Sequence, residues 1–294
     1  MVIKKPFTFN NLLLELSKQA ISRTEPCEKL VEELINFDFK REIFNLRKLP
    51  YNNQNYILNF IIYKGNIYGA DSDCDRLPIT LDLYSKLWSN TFRFWDTNQT
   101  NFIYANGETM NSFVKSYKVV NANNYDFSKE LFNEYAKLTH TLGNFIPVYA
   151  INIKKNEWKS PFNTKRQSAT YDYWDLTLYH IKSFFQFEKE KILEKEWILT
   201  KSYIVESREW LLSFNTWSNF VEKNFLQSFL VDPNDIESDP IEFWKGHFNL
   251  NEPVNAQNSD QINEFLEKVN WAIKERSRNM IKALFNVFKN QNKP

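Results

Sequence analysis

Two apolar stripes with helical spacing flank a central segment rich in turn-forming residues, and this arrangement constrains the fold more than any other feature. The first stripe consists of Leu131, Tyr135, Leu138 and Leu142, with Gly143 directly after it. The second consists of Trp174, Leu178, Ile181 and Phe185. Apolar residues spaced i, i+4, i+7 and i+11 line one face of a helix. The spacing predicts a buried helix that ends at Gly143, a residue type that commonly stops helices, and a second that begins near Asp172.

The segment between these helices is the candidate site. Pro147 and a series of Asn and Ser residues favour turns over regular structure, so residues 144–168 are predicted to form a long connection. Connections of this length in a compact domain are uncommon and are more often functional or partly disordered than without a role. The predicted binding residues are polar or charged side chains in or beside the segment: His140, Asn144, Asn152, Asn156, Lys165, Arg166, Asp172 and Asp175.

Periodicity and turn residues also predict the other elements. Helices are expected at residues 9–22, from Cys27 onward, after Pro78, at 210–230 and from about Ser259. The last of these has an apolar face made of Ile262, Leu266, Val269, Ile273, Met280, Leu284 and Val287. Residues 55–70 place β-branched and aromatic residues on both sides of Lys64, Gly65 and Asn66, a pattern typical of a hairpin. The sequence therefore predicts an α+β fold, mainly helical, with a small β-hairpin or antiparallel sheet in the N-terminal half.

Length alone suggests about two domains, and a single large domain is equally defensible. A chain of 294 residues buries about 75% of its unfolded surface. We predict one domain over residues 1–294, with an α/β subregion at 1–125 and a helical subregion at 126–294.

Charge, cysteine content and hydropathy limit the partners and the cellular compartment that we predict for the chain. The net charge is +1, so no global field attracts nucleic acid or an anionic membrane. The only two cysteines, Cys27 and Cys74, do not build a disulfide scaffold. No apolar run approaches the roughly 20 residues of a membrane helix, and the N-terminus lacks the apolar run of a signal peptide. A cytoplasmic protein without membrane contact is predicted.

Metal, cofactor and catalytic signatures are weak. Asp71, Asp73, Asp75 and Asp82 alternate as in a calcium loop. However, Arg76 replaces the glycine that such a loop needs, so a solvated turn is the better interpretation. The three histidines are isolated in sequence, whereas a zinc site needs three or four ligands. We predict no metal and no cofactor, and the catalytic residues are unknown because no nucleophile elbow or phosphate-binding glycine motif is present.

One local cluster combines basic and aromatic residues. It consists of Lys154, Lys155, Lys159, Lys165 and Arg166 with Trp158, Phe162 and Tyr171 between them. Such a cluster can contact phosphates and stack bases. A solvated loop with buried aromatic residues is favoured over this interpretation, because the net charge gives no support for nucleic-acid binding.

The chain resembles two known families. The runs ADSDCDRLPITLDLYSKLWSN, YDYWDLTLYHIKSFF and LLSFNTWSNFVEKNFLQSFLVD occur in this order between about Asp71 and Phe248. They resemble a bacterial domain-of-unknown-function family of hypothetical proteins, for which no binding or catalytic residues can be carried over.

The second resemblance is local. HTLGNFIPVYAINIKKNEWKSPFNTKR is similar to the closing segment of HNH-type nuclease domains of restriction and phage-defence proteins. The resemblance places Asn144, Asn152 or Asn156, Phe162, Lys165 and Arg166 at the matching positions. Those nucleases also carry an upstream histidine that binds metal and activates water, but this chain has no histidine before His140. The resemblance therefore implies a binding surface without cleavage.

The favoured hypothesis is an intracellular, non-catalytic binding or interaction protein of unknown ligand, linked to mobile-element or phage-defence functions, with a protein or nucleic acid as partner. The alternative is a nuclease-like protein with His140, Asn144 and Asn156 near a metal, and with Lys165 and Arg166 on phosphate. A third hypothesis, a small-molecule enzyme, uses Asp172 or Asp175 as its base.

Overall fold

The computed structural model describes residues 8–39, 60–63, 66–69, 83–84, 86–88, 104–110, 126–154, 157–159, 174–186, 211–243, 248 and 258–292. The helices are α1 (Phe9–Ser22), α2 (Glu28–Ile35), α3 (Lys129–Leu138), α4 (Trp174–Gln186), α5 (Trp217–Lys223) and α6 (Ser259–Gln291). The strands are β1 (Phe60–Tyr63), β2 (Asn66–Gly69), β3 (Tyr104–Thr109), β4 (Phe145–Lys154) and β5 (Glu157–Lys159). The predicted mainly helical character is confirmed.

The longest element is α6, with 33 residues. Its N-cap is Asn258, whose side-chain oxygen accepts the backbone N–H of Gln261 at 2.9 Å and so satisfies one of the free donors of the first turn. The predicted apolar face is buried at Ile262, Leu266, Val269, Ile273, Met280 and Leu284. The start near Ser259 is confirmed, and α6 packs against α1, α2 and α3.

Helices α1 and α2 confirm the predicted helical pair at the N-terminal end of the described chain. The buried face of α1 consists of Phe9, Leu12, Leu13, Leu16 and Ala20. The two helices pack against each other and against α6. Their buried side chains belong to one hydrophobic cluster that extends to Phe288.

Polar contacts fix α3 on α6. The side-chain oxygen of Asn263 accepts the backbone N–H of Ser128 at 2.8 Å, where α3 is about to begin. Further along, Nδ2 of Asn270 donates to the Leu131 carbonyl oxygen at 3.0 Å. Because these bonds join the helix cap and the helix backbone to α6, they set the register of the two helices as well as their spacing.

The predictions for the central segment are partly wrong. Helix α3 ends at Leu138, not at Gly143, which lies in a short 3-10 turn, Leu142–Asn144. Gly143 does not have a positive φ. The predicted long connection of residues 144–168 contains β4 and β5. Thr139 and Thr141 explain the early helix end, because their hydroxyls donate to the carbonyl oxygens of Tyr135 and Leu138 and offer the backbone an alternative to the helix.

The single helix predicted at residues 210–230 is also wrong. Asn215 and Phe225 have positive φ values of 66° and 57°, which end helical structure on both sides of α5. Thr216 caps α5, because its hydroxyl oxygen accepts the Asn219 N–H at 3.1 Å. A 3-10 turn, Gln227–Phe229, follows. The apolar positions that suggested one helix are buried because α5 packs against α4 and the 3-10 turn packs against α6.

The described strands form two antiparallel groups. Strand β1 pairs with β2, with Phe60 opposite Gly69 and Tyr63 opposite Asn66. Strand β4 lies between β3 and β5. Its first residue, Phe145, faces Thr109 of β3, so the sheet begins directly after the Gly143 turn.

Among the helices of the described ranges, none is both long enough and apolar enough to cross a membrane.

Candidate functional site

The candidate site is centred on Arg276 of α6. Arg276 lies three residues after Ile273 and four before Met280, so it occupies the apolar stripe of the helix. Its side chain is fully buried, with 0% exposure. A charged residue at such a position is rare unless its charge and its hydrogen-bond donors are satisfied. The contacts of this guanidinium therefore decide whether its charge and its donors are satisfied.

Three backbone carbonyl oxygens accept hydrogen bonds from Arg276. Its Nε donates to the oxygen of Asn224 at 3.0 Å. Its Nη1 donates to the oxygens of Gly143 at 2.8 Å and Phe145 at 2.6 Å. A guanidinium has five N–H groups, and these bonds use three of them. Both hydrogens of Nη2 remain, and within the described part of the chain Nη2 has no hydrogen-bond partner.

Gly143 reaches α6 because it has no side chain. A methyl group at this position would overlap the carbonyl oxygen of Ile273 and the hydroxyl of Ser277, and would lie 2.9 Å from the Ser277 nitrogen. Only glycine permits this approach of backbone to backbone. The close approach brings the Gly143 and Phe145 carbonyl oxygens to Arg276.

The third carbonyl comes from the residue after α5. Asn224 lies at the C-terminal end of that helix, where the last carbonyl groups have no partner within the helix. Its Nδ2 donates to the Phe220 oxygen at 2.9 Å, which fixes the turn. The positive φ of Phe225 then turns the chain away, and the Asn224 carbonyl oxygen is left pointing at Arg276.

Aromatic residues from the helical segment at 83–84 and 86–88 adjoin this centre. The rings of Tyr84 and Trp88 meet edge to face at 5.5 Å, and Trp88 meets Phe225 in the same way at 5.7 Å. Both Tyr84 and Trp88 are buried. The indole Nε1 of Trp88 is buried and has no hydrogen-bond partner in the described residues. We call Tyr84, Trp88 and Arg276 the donor cluster, because each carries an N–H or O–H group.

The electrostatics of the donor cluster follow from burial. Desolvation lowers the pKa of Arg276 to about 9, while the nearby Tyr84 has the opposite effect on that pKa. The guanidinium is therefore still charged at neutral pH. No described carboxylate contributes to its pKa, so within the described residues the groups that face the positive charge are carbonyl dipoles. Two acceptor atoms nearby, Oδ1 of Asn224 and Oγ of Ser277, are also buried without a partner among the described residues.

A second buried cation, Lys182 of α4, has a different environment. Its Nζ forms an ion pair with Asp239 at 2.8 Å and also donates to the Glu237 carbonyl oxygen. It lies 5.8 Å from the centre of the Trp217 ring. Only 8% of the Lys182 side chain is exposed, against 76% for Asp239. We call these residues the Lys182 clamp, because they fasten the loop around residue 239 to α4.

The structure places two of the predicted site residues in the turn that contacts Arg276. Asn144 is fully buried, and its Nδ2 donates to the Thr139 oxygen at 2.8 Å. Its own carbonyl oxygen accepts the Met110 N–H at 2.7 Å. His140 is half-buried, and its carbonyl oxygen accepts the Phe39 N–H at 3.0 Å. The backbone and the Asn144 amide at this turn therefore contribute to the fold.

The other predicted site residues do not join them. Asp175 is buried in α4, where Oδ2 accepts the Phe243 N–H at 3.1 Å. Asn152 lies in β4 opposite Trp158. The predicted residues outside the described ranges are Asn156, Lys165, Arg166 and Asp172. The calcium-like aspartates and most of the basic and aromatic cluster also lie outside the described residues.

Sequence reasoning missed Arg276, although the sequence held a signal for it. The apolar face of α6 was predicted from Ile262 to Val287, and its i+3 and i+4 spacing passes through position 276. A cation in the middle of an otherwise apolar stripe is a buried polar residue, which is more informative than the apolar residues around it. For Trp88, no sequence pattern could have shown that its indole N–H lacks a partner.

No cluster of three or more His, Cys, Asp and Glu side chains suited to a metal ion occurs among the described residues.

Comparison with known proteins identifies a family but no activity. Neither the curated proteins nor the solved structures give a match. A family model does match residues 74–280, which include Tyr84, Trp88 and Arg276. Because this match covers more than half of the chain, the protein belongs to DUF6994, a family of unknown function.

Proposed function

We propose that this protein is a non-catalytic binding protein, and that its ligand presents a hydrogen-bond acceptor to Nη2 of Arg276 and the indole N–H of Trp88 in the donor cluster. The observation that supports this proposal is the pair of unused N–H groups on Nη2 of a fully buried arginine. Leaving a buried donor without a partner costs roughly 1–3 kcal/mol, and more when the group is charged. A ligand that accepts from Nη2 recovers this energy on binding.

The chemistry of the donor cluster suits recognition. Arginine and the indole N–H of tryptophan donate hydrogen bonds but do not accept them. Arg276 keeps its proton at neutral pH, since its pKa remains at about 9. Such groups orient and hold an acceptor without exchanging a proton with it. The intracellular setting and the link to mobile-element or phage-defence functions stay predictions from the sequence.

Two tryptophan variants test the site. Trp88→Phe removes the indole N–H at the donor cluster, and Trp217→Phe removes a buried indole N–H from a ring that stacks on Phe220 instead. Melting temperatures of native protein and both variants are measured with inorganic phosphate, acetate and the neutral amide acetamide. We expect at least one of these acceptors to raise the melting temperature of the native protein and of Trp217→Phe more than that of Trp88→Phe.

Equal melting-temperature shifts in all three proteins would contradict the proposal. If all three acceptors shift the three proteins by the same amount, the donor cluster does not bind them and the proposal is rejected. The comparison between variants removes the general stabilisation that phosphate gives through exclusion from protein surfaces.

A further inference from the structure

A cleft lies between the start of α2 and the C-terminal half of α6, and its lining includes no residue of the donor cluster. Its volume is about 640 Å³, which falls within the range of small-molecule sites, roughly 300–1,000 Å³. Six of its lining residues come from the segment that starts α2, and we call them the α2 wall. The other two, Arg278 and Lys282, form the α6 wall.

Two contacts show that the chain runs in opposite directions along the two walls. Nη2 of Arg278 lies 3.9 Å from Oε2 of Glu32, near the end of α2. Nζ of Lys289, further along α6, donates to the carbonyl oxygen of Arg23, which precedes α2. The start of α2 therefore lies towards the C-terminal end of α6.

One helical turn separates the charged residues on each wall. Glu28 precedes Glu32 by four residues, and Lys282 follows Arg278 by four, so each pair lies on one face of its helix. Because the helices run in opposite directions, Glu28 and Lys282 line the same end of the cleft. At both ends, a carboxylate on one wall is therefore opposed to a cation on the other.

The two walls carry equal and opposite net charge. Glu25 adds a third carboxylate to the α2 wall, and Lys29 offsets one of the three. That wall keeps a net of two negative charges, against two positive charges on the α6 wall. A ligand with charge of a single sign is attracted by one wall and repelled by the other. A ligand that carries both signs is attracted by both walls.

Apolar side chains also line the cleft. Pro26 and Val31 are half-buried, and Val31 packs against the hydrophobic cluster. A ligand that covers these two residues removes apolar surface from water, which favours binding. The lining therefore favours a ligand with an apolar part beside its charges.

We propose that this cleft binds a small zwitterion of the amino-acid type with an apolar side chain. Its carboxylate accepts charge-assisted hydrogen bonds from Arg278 and Lys282, and its ammonium group donates to Glu28. Both groups are attached to one carbon atom, so the molecule fits between walls of opposite charge. Its side chain covers Pro26 and Val31. This site is separate from the one in the proposed function, and neither depends on the other.

Mutual attraction of the walls is the competing explanation for their charges. Arg278 already contacts Glu275 on its own helix and lies near Glu32 across the cleft. The charges would then only hold α2 beside α6, and ion pairs in solvent contribute little to stability. That explanation predicts no binding of an added zwitterion, so a titration separates the two.

The experiment uses titration calorimetry of the full chain at constant ionic strength. The ligands are leucine, glycine, 4-methylpentanoate and 3-methylbutylamine. Compared with leucine, these lack the side chain, the ammonium group and the carboxylate, respectively. We expect leucine to bind about tenfold more tightly than each of the other three, because each lacks one of the contacts.

Charge-neutralising variants locate the binding. Glu28→Gln and Lys282→Gln each remove one charge from the cleft at an exposed position, so both variants should fold. The matched control is Lys268→Gln, because Lys268 pairs with Glu264 on α6 and does not line the cleft. We expect leucine to bind the control as it binds the native protein, and each cleft variant about tenfold more weakly.

The other outcomes overturn the inference. If leucine does not bind, the charges serve only to attract the walls. Equal affinity for leucine and either singly charged analogue rejects recognition of a zwitterion. Equal affinity for leucine and glycine rejects the apolar contact. Leucine binding that Glu28→Gln and Lys282→Gln leave unchanged places the ligand outside the cleft.

Discussion

Arg276 and Lys182 are two buried cations in the same chain, and different kinds of groups stabilise their charges. Lys182 has a carboxylate partner, a carbonyl partner and the face of Trp217. Its partner Asp239 is 76% exposed and remains hydrated. Arg276 has three carbonyl partners, two unused N–H groups and no described carboxylate. The Lys182 ammonium has acceptors within the chain. In contrast, Nη2 of Arg276 and Nε1 of Trp88 have no acceptor among the described residues.

The comparison shows how a structural role and a binding role can share one residue. Arg276 ties α6 to the Gly143 turn, to the first residue of β4 and to the end of α5. These bonds fix the position of the guanidinium before any ligand arrives. A donor that is held in place by other bonds loses little conformational entropy when it binds a ligand. Lys182 is held equally firmly, but it has no comparable free donor beside an uncompensated charge.

The largest expected effect is that of Gly143→Ala. The added methyl group overlaps backbone atoms of α6, which cannot rotate away as a side chain can. We expect a loss of about 5 kcal/mol in the free energy of unfolding, or failure to fold, because overpacking against backbone belongs to the most damaging substitutions. Chemical denaturation measures the loss. The double variant with Ser277→Ala removes one clash but not the clash with Ile273, so it should recover only part of the stability, and full recovery would contradict the model of close backbone contact.

Arg276→Met should have the next largest effect. It leaves the carbonyl oxygens of Asn224, Gly143 and Phe145 buried without their donor. We expect a loss of about 3–5 kcal/mol, because each buried carbonyl oxygen left without a donor costs roughly 1–3 kcal/mol. Arg278→Met is the control, since that side chain is 38% exposed, and it should lose less than about 1 kcal/mol. Equal losses in the two variants would show that Arg276 does not hold the Gly143 turn.

Lys182→Met tests the other half of the comparison. Asp239 is already in solvent and needs no partner when Lys182 is removed. Only the Glu237 carbonyl loses a buried contact, so we expect a loss of about 1–2 kcal/mol. Asp239→Asn should cost less than about 1 kcal/mol, because the exposed carboxylate is screened by water. If Lys182→Met destabilises the protein as much as Arg276→Met, the distinction between the two cations fails.

The smallest expected effect is that of Ser277→Ala. The Ser277 hydroxyl is fully buried and has no hydrogen-bond partner in the described residues. Its removal should leave stability unchanged or raise it by up to about 1 kcal/mol, because a desolvated polar group is lost. Ser228→Ala is the matched control. The Ser228 hydroxyl donates to the Ala272 oxygen at 2.8 Å, so its loss should cost about 1 kcal/mol. A clear destabilisation by Ser277→Ala would reveal a partner for that hydroxyl.

Much of the helical architecture could be predicted from sequence. The apolar spacing located α1, α2, α4 and α6 within a few residues, because helical periodicity is a property of the local chain. The same reasoning extended α3 to Gly143 and joined residues 210–230 into one helix. It failed there because apolar spacing shows which residues are buried but not where the backbone turns. Thr139, Thr141 and Asn215 redirect the chain through local hydrogen bonds and a positive φ.

The candidate site was only partly accessible from sequence. The predicted segment of residues 144–168 begins at Asn144, and Arg276 binds the backbone carbonyl oxygens of the residues on either side of it. The side chains predicted there as binding groups are a separate matter, and their role in binding stays a prediction. The donor cluster instead combines residues from two distant parts of the chain, the segment of Tyr84 and Trp88 and the helix of Arg276.

The sequence by itself determined that α6 has a long apolar face and that a cation interrupts it at position 276. Only the tertiary structure decided what that cation contacts. Gly143 and Arg276 are 133 residues apart, and no local pattern links them. Their hydrogen bond exists because the missing side chain of one residue lets two backbones touch, and the packing of the whole core brings them to that point.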